Sequence, residues 1–88
     1  MAKVVYEGRD YTLDVRDVTV LQLRTIARYG LQAKDLRSLV AVGDVGALRC
    51  LFWLMLDQNG GTFLGIDEVN FKPVKFMQAL AAVAVASL

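Results

Sequence analysis

A chain of 88 residues makes one domain and can bury only about 60–65% of the surface its unfolded form exposes, yet 56% of its residues are hydrophobic, where roughly 45–50% is usual. Ten basic and nine acidic residues, spread along the chain, leave a net charge of +1 and no basic block that would draw a phosphate backbone. Histidine is missing altogether, which removes imidazole-based nucleophile activation and every imidazole metal site.

Cys50 is the sole cysteine, so neither an intrachain disulfide nor a multi-thiolate zinc site can form, and a lone thiol in an apolar run fits a reducing compartment. The start, Met1-Ala2-Lys3-Val4-Val5-Tyr6-Glu7, lacks the apolar core of a signal peptide. The stretch from Phe76 to Leu88 falls short of the roughly 20 residues that cross a bilayer. The composition therefore points to a cytoplasmic protein with no metal, no cofactor, no nucleic-acid or membrane partner, and more apolar surface than its own core can hide.

The expected architecture is mainly α with a short N-terminal β-hairpin, an α+β arrangement in which residues 1–16 form the hairpin and residues 19–88 a small bundle of about four helices, all in a single domain 1–88. In the hairpin, Tyr11-Thr12-Leu13-Asp14-Val15-Arg16 alternates apolar and polar, which puts Tyr11, Leu13 and Val15 on one face. Glu7-Gly8-Arg9-Asp10 supplies the turn, with Gly8 taking a positive φ. Thr19 and Gln22 have the spacing of a capping box, with Val18 and Leu23 as its staple, and Gly30 fits a left-handed terminator with Leu31 folding back on Ile26. The first helix then runs Val20–Tyr29 with Leu23, Ile26 and Ala27 inward.

A second helix, Gln32 to Val42, brings Leu36, Leu39 and Val40 to one side and ends at Gly43. Asp44 caps a third, Val45 to Gln58, which Asn59-Gly60-Gly61 stops. Cys50-Leu51-Phe52-Trp53-Leu54-Met55-Leu56 covers almost two turns and points in every direction, so that helix must be surrounded. Thr62 to Val69 reads as a loop anchored by Phe63, Leu64 and Ile66. Asn70 offers a cap and Pro73 a first turn for a fourth helix from Phe71 to Ser87, whose polar positions after Pro73 are only Lys75, Gln78 and Ser87.

Chemistry-bearing groups are few. Asp67 and Glu68 are neighbours in a Gly-flanked loop, where carboxylates cap turns more readily than they oppose each other across a substrate. Gly60-Gly61-Thr62 lacks the Lys and following helix of a phosphate-binding loop, and Arg24 with Arg28 reads as a solvated helix face. Catalytic function is not expected. What stands out is collective: Phe52, Trp53, Met55 and Leu56 on the third helix, with Phe76, Met77 and Leu80 on the fourth, exceed what one small core can use and are expected to form a protein-interaction surface.

The order of these pieces resembles the tail assembly chaperones of long-tailed bacteriophages: a hairpin carrying Tyr6-Glu7-Gly8-Arg9-Asp10-Tyr11-Thr12-Leu13, a capped helix, then Val42-Gly43-Asp44 with Ala47-Leu48 leading into Leu51-Phe52-Trp53-Leu54-Met55. The resemblance implies a helical, non-catalytic protein of the host cytoplasm that coats and solubilises the long, hydrophobic tape measure protein. It would leave as tail tube protein polymerises; self-association into a homo-oligomer is expected instead from the apolar third and fourth helices, which depart from the family in being so bare of charge. The resemblance also implies that a chain ending Ala84-Val85-Ala86-Ser87-Leu88 corresponds to the shorter of two forms made in such families. The competing expectation is a small permanent structural subunit of a tail or connector.

Overall fold

The computed structural model describes residues 2–62 and 64–83. Strands β1 (Ala2–Tyr6) and β2 (Arg9–Leu13) pair antiparallel with Ala2 opposite Leu13 and Tyr6 opposite Arg9. Glu7 at φ 48° and Gly8 at φ 78° make the turn between them; two successive positive φ angles give a two-residue turn the twist of its strands. Alternation sends Val4, Tyr6, Tyr11 and Leu13 into the core and leaves Lys3, Val5, Asp10 and Thr12 exposed.

β2 stops at Leu13, so Val15 falls outside the strand it was expected to continue. The Asp14 carboxylate accepts the Arg16 backbone N–H at 2.9 Å and two guanidinium N–H bonds at 3.1 and 3.0 Å. That local closure winds Val15–Asp17 into a 3-10 turn and ends the strand.

Helix α1 (Val20–Tyr29) has the ends its sequence announces. Thr19 Oγ1 accepts the Gln22 N–H at 3.1 Å while Gln22 Oε1 accepts the Thr19 N–H at 2.9 Å. At the other end Gly30 lies at φ 106°, its N–H donates to Ala27 O, and the Leu31 N–H donates to Ile26 O, the two bonds of a Schellman closure. The inward face keeps Ile26 of the expected stripe but not Leu23 and Ala27. Gln22 and Ile26 are buried whereas Leu23 and Ala27 are exposed, because Gln22 Nε2 donates to Asp57 Oδ2 at 2.6 Å and turns the helix toward that bond. Val18, the other half of the expected staple, packs on the core.

Helix α2 (Ala33–Ala41) half-buries Leu36, Leu39 and Val40 and closes in the same way as α1. The Gly43 N–H donates to Val40 O and the Asp44 N–H to Leu39 O. Asp44 Oδ2 accepts the Ala47 N–H at 2.9 Å and starts α3 (Val45–Gln58), so Gly43-Asp44 turns the chain through 114°. α3 packs against α2, β2, a second 3-10 turn at Ile66–Glu68 and helix α4 (Pro73–Ala81). Ala47, Leu48 and every residue from Cys50 to Met55 are buried.

After α3, Ile66 and Val69 anchor the connection. Leu64 does not: its side chain is exposed and it is held through its backbone, the carbonyl accepting Trp53 Nε1–H at 3.1 Å and the N–H donating to Thr62 Oγ1 at 3.1 Å. Phe63 lies outside the described residues. α4 begins at Pro73 rather than Phe71, and Asn70 does not cap it. A proline holds the residue before it extended; Lys72 obeys, at φ −101° and ψ 104°, and donates its backbone N–H to Tyr6 Oη at 2.9 Å. Phe71 instead stacks on Phe52, ring centroids 5.1 Å apart, in a cluster that Tyr6 and Phe76 join edge-on. Ala84, Ala86 and Ser87 of the expected fourth helix lie outside the described residues. The described residues thus form a mainly helical α+β fold: a two-stranded hairpin against four helices, with α3 at the centre.

Candidate functional site

Of the seven residues expected at an interaction surface, the fold places five in its core. Phe52, Trp53, Met55, Phe76 and Leu80 are buried, Leu56 is half-buried, and Met77 is exposed. Phe52 and Phe76 meet at 5.1 Å in the aromatic cluster, and the Trp53 indole is tied to Leu64. These side chains serve the monomer's own interior, which corrects the expectation that they are open to a partner. α3 was expected to need covering, and the hairpin, two helices and the Ile66–Glu68 turn provide it within one chain.

α4 is covered on one side only. Phe76 and Leu80, four apart, face inward, while Val74, Met77 and Ala81, at i, i+3 and i+7, share the opposite face and are exposed. Val74 is 67% exposed and Met77 38%. The Met77 thioether lies over Gly43, where an added Cβ would come within 3.2 Å of its methyl. The apolar stripe of α4 thus runs onto the α2–α3 corner, next to Val42, which is 77% exposed. Val42 was missed in the sequence because it falls after the last turn of α2, outside any periodic stripe. A separate exposed group, Val20, Leu21 and Leu23, sits at the start of α1.

The polar candidates are occupied by local structure. Glu68 Oε1 accepts the Gly65 N–H at 3.0 Å and so caps the turn, while Asp67 is held through its backbone carbonyl, which accepts Arg49 Nη1–H at 3.0 Å. Cys50 is wholly buried, and burial, aided by the nearby Asp44 charge and opposed by Arg49, pushes its thiol up to about 11. Such a thiol is protonated and inert at neutral pH. Arg24 and Arg28 are exposed, and Arg28 borders a shallow, open depression with Thr25, Tyr29 and Asp67. Among the described residues no three His, Cys, Asp or Glu side chains gather as metal ligands, and no single helix is long and apolar enough to cross a membrane. Compared with known proteins, the chain matches no family model, no curated protein and no solved structure.

Proposed function

We propose that this chain is a tail assembly chaperone that binds a phage tape measure protein and keeps it soluble during tail assembly, docking it on the stripe formed by Val42, Val74, Met77 and Ala81. The observation that carries this reading is the exposure of that stripe: apolar side chains on one helix face, with Met77 reaching Gly43 beside the exposed Val42, in a chain whose core is already filled. Its chemistry suits a client recognised by hydrophobicity. Small Ala81 and β-branched Val42 and Val74 form a shallow floor, and the unbranched Met77 thioether adapts to different side chains. The order of elements adds support, since the hairpin, the capped α1, the Gly43-Asp44 corner and the aromatic α3 are the pieces that carry the resemblance.

The test is co-expression with a tape measure protein. Val74→Glu and Met77→Glu should each leave the circular dichroism spectrum unchanged and send the client into the insoluble fraction. If both folded variants still keep it soluble, the stripe is not the docking surface and the proposed function loses its support. Recovery of the chain in stoichiometric amounts from finished tails would identify a permanent structural subunit instead.

A further inference from the structure

The two edges of the hairpin are treated differently. A two-residue turn closes on its flanking pair, so Tyr6–Arg9, Val4–Tyr11 and Ala2–Leu13 exchange the backbone bonds between the strands. The N–H and C=O groups of Asp10 and Thr12 on β2, and those of Lys3 and Val5 on β1, therefore point away from the hairpin on its two sides. On the β2 side the amides that end α3 meet those of Thr12. The Thr12 N–H donates to Asn59 Oδ1 at 2.9 Å and Asn59 Nδ2 donates to Thr12 O. One step along, the Asp14 N–H donates to Gln58 Oε1 at 3.1 Å and Gln58 Nε2 donates to Asp14 O at 3.0 Å. Two consecutive amide side chains imitate the next strand and close that edge from Thr12 to Asp14, leaving only the Asp10 groups outward.

The β1 edge has no such cover. Among the described residues no hydrogen bond reaches the four outward backbone groups of Lys3 and Val5, and Val5 is 53% exposed, the one exposed large apolar side chain of the hairpin. We propose that this edge pairs antiparallel with β1 of a second copy of the chain, joining two hairpins into a four-stranded sheet.

Charge selects both the occupant and the register. Outward groups must meet outward groups, which leaves three two-fold registers, centred on Lys3, Val4 or Val5. The first sets Lys3 against Lys3 of the other copy, and the second puts the two ammonium groups on adjacent diagonals; like charges so placed are destabilising. The register centred on Val5 pairs the two Val5 side chains, keeps the two Lys3 ammonium groups apart and brings Lys3 alongside the hairpin turn of the other copy, where Glu7 is exposed. Each chain already holds Lys3 to Asp10 at 3.1 Å and Lys72 to Glu7 at 3.2 Å. The new contact joins these pairs into a run of alternating sign, Lys72–Glu7 of one copy followed by Lys3–Asp10 of the other, and it does so twice about the dyad. The edge is thus self-complementary, and this dimer is independent of the stripe assigned to the tape measure protein.

The experiment is sedimentation of the full chain over a concentration series, with five variants, Met77→Glu among them. Wild type should pass from monomer to dimer as concentration rises. Val5→Pro removes an outward donor that the hairpin itself does not use, so it should stay monomeric with a native circular dichroism spectrum. Lys3→Glu and Glu7→Lys should each weaken the dimer by about tenfold or more, and the combined swap should restore it, because only contact between two copies exchanges both charges at once. A wild type that stays monomeric at the highest concentration reached would overturn the proposal. So would a dimer that survives Val5→Pro, a dimer lost with Met77→Glu, or a double swap as weak as either single change. If Val5→Pro fails to fold, the charge swap alone decides.

Discussion

Helices α3 and α4 read alike in sequence and fare differently in the fold. α3 carries seven consecutive apolar residues, and α4 has only Lys75 and Gln78 as polar positions after Pro73. Eight residues of α3 are buried; on α4 only Phe76 and Leu80 are. The difference lies in their neighbours, since α3 is ringed by α2, α4, β2 and the Ile66–Glu68 turn, while α4 rests on β1 and α3. Apolar composition states that a segment must be covered. How much of it is covered within the chain depends on how many elements reach it.

The sharpest way to break this contrast is to put a charge at the centre of α3. Met55 has no exposed surface, and Met55→Glu would bury a carboxylate with no partner, at a cost of several kcal/mol. A domain of this size has about 5–10 kcal/mol in all. The variant should lose its helical circular dichroism signal, and a folded Met55→Glu protein would show that α3 is not enclosed.

A smaller effect is expected where α1 is fastened beside the core. Thr19→Ala removes the acceptor for the Gln22 N–H and loosens the side chain that reaches Asp57 on α3. The expected loss is about 1 kcal/mol, read as a lower urea midpoint. A midpoint equal to that of wild type would mean the capping box contributes nothing to holding α1 in place.

These local devices also explain what the sequence made legible. Thr19 with Gln22, Gly30, Gly43-Asp44 and Asn59-Gly60-Gly61 act within a few residues of themselves, so the limits of α1 and α3 could be read directly. The faces of the helices could not. Gln22 is buried by a bond to a residue 35 positions away, and no periodicity in α1 announces it. The expected interaction surface failed for the same reason: a run of apolar residues looks identical whether the chain later wraps it, as with Phe52 and Trp53, or leaves it open, as with Met77. Asp14 shows the opposite error. The alternation through Val15 is real, but the Asp14–Arg16 closure is more local still and overrides it.

That closure also gives acid sensitivity at the point where α3 holds the hairpin. Hydrogen bonds from the Arg16 side chain, then its backbone N–H and its charge, lower Asp14 from 3.8 to about 2. A carboxylate with a depressed folded-state pKa stabilises the fold above its unfolded value, and that contribution is lost as pH falls from 3.8 toward about 2. Asp14→Asn should therefore be less stable than wild type near neutral pH, with the gap between their urea midpoints closing over that acid range. A gap that stays constant down to pH 2 would show that the carboxylate's charge is not what Arg16 holds.

The smallest effect on stability is expected on the open side of α4, and it is the one that gives the contrast with α3 its functional meaning. Val74 is in the first turn, where a carboxylate interacts favourably with the positive end of the helix dipole, so Val74→Glu should change stability by no more than about 0.5 kcal/mol. Met77→Glu should cost slightly more, because it lifts the thioether off Gly43. Both urea midpoints should stay near that of wild type, while the same charge at Met55 unfolds the chain. Stability and the proposed client binding then separate along one comparison: a charge on the enclosed helix removes the fold, and a charge on the half-open helix removes only the apolar contact proposed for the tape measure protein. Were Met77→Glu to unfold the chain as readily as Met55→Glu, α4 would be as enclosed as α3, and the stripe would be core rather than a docking surface.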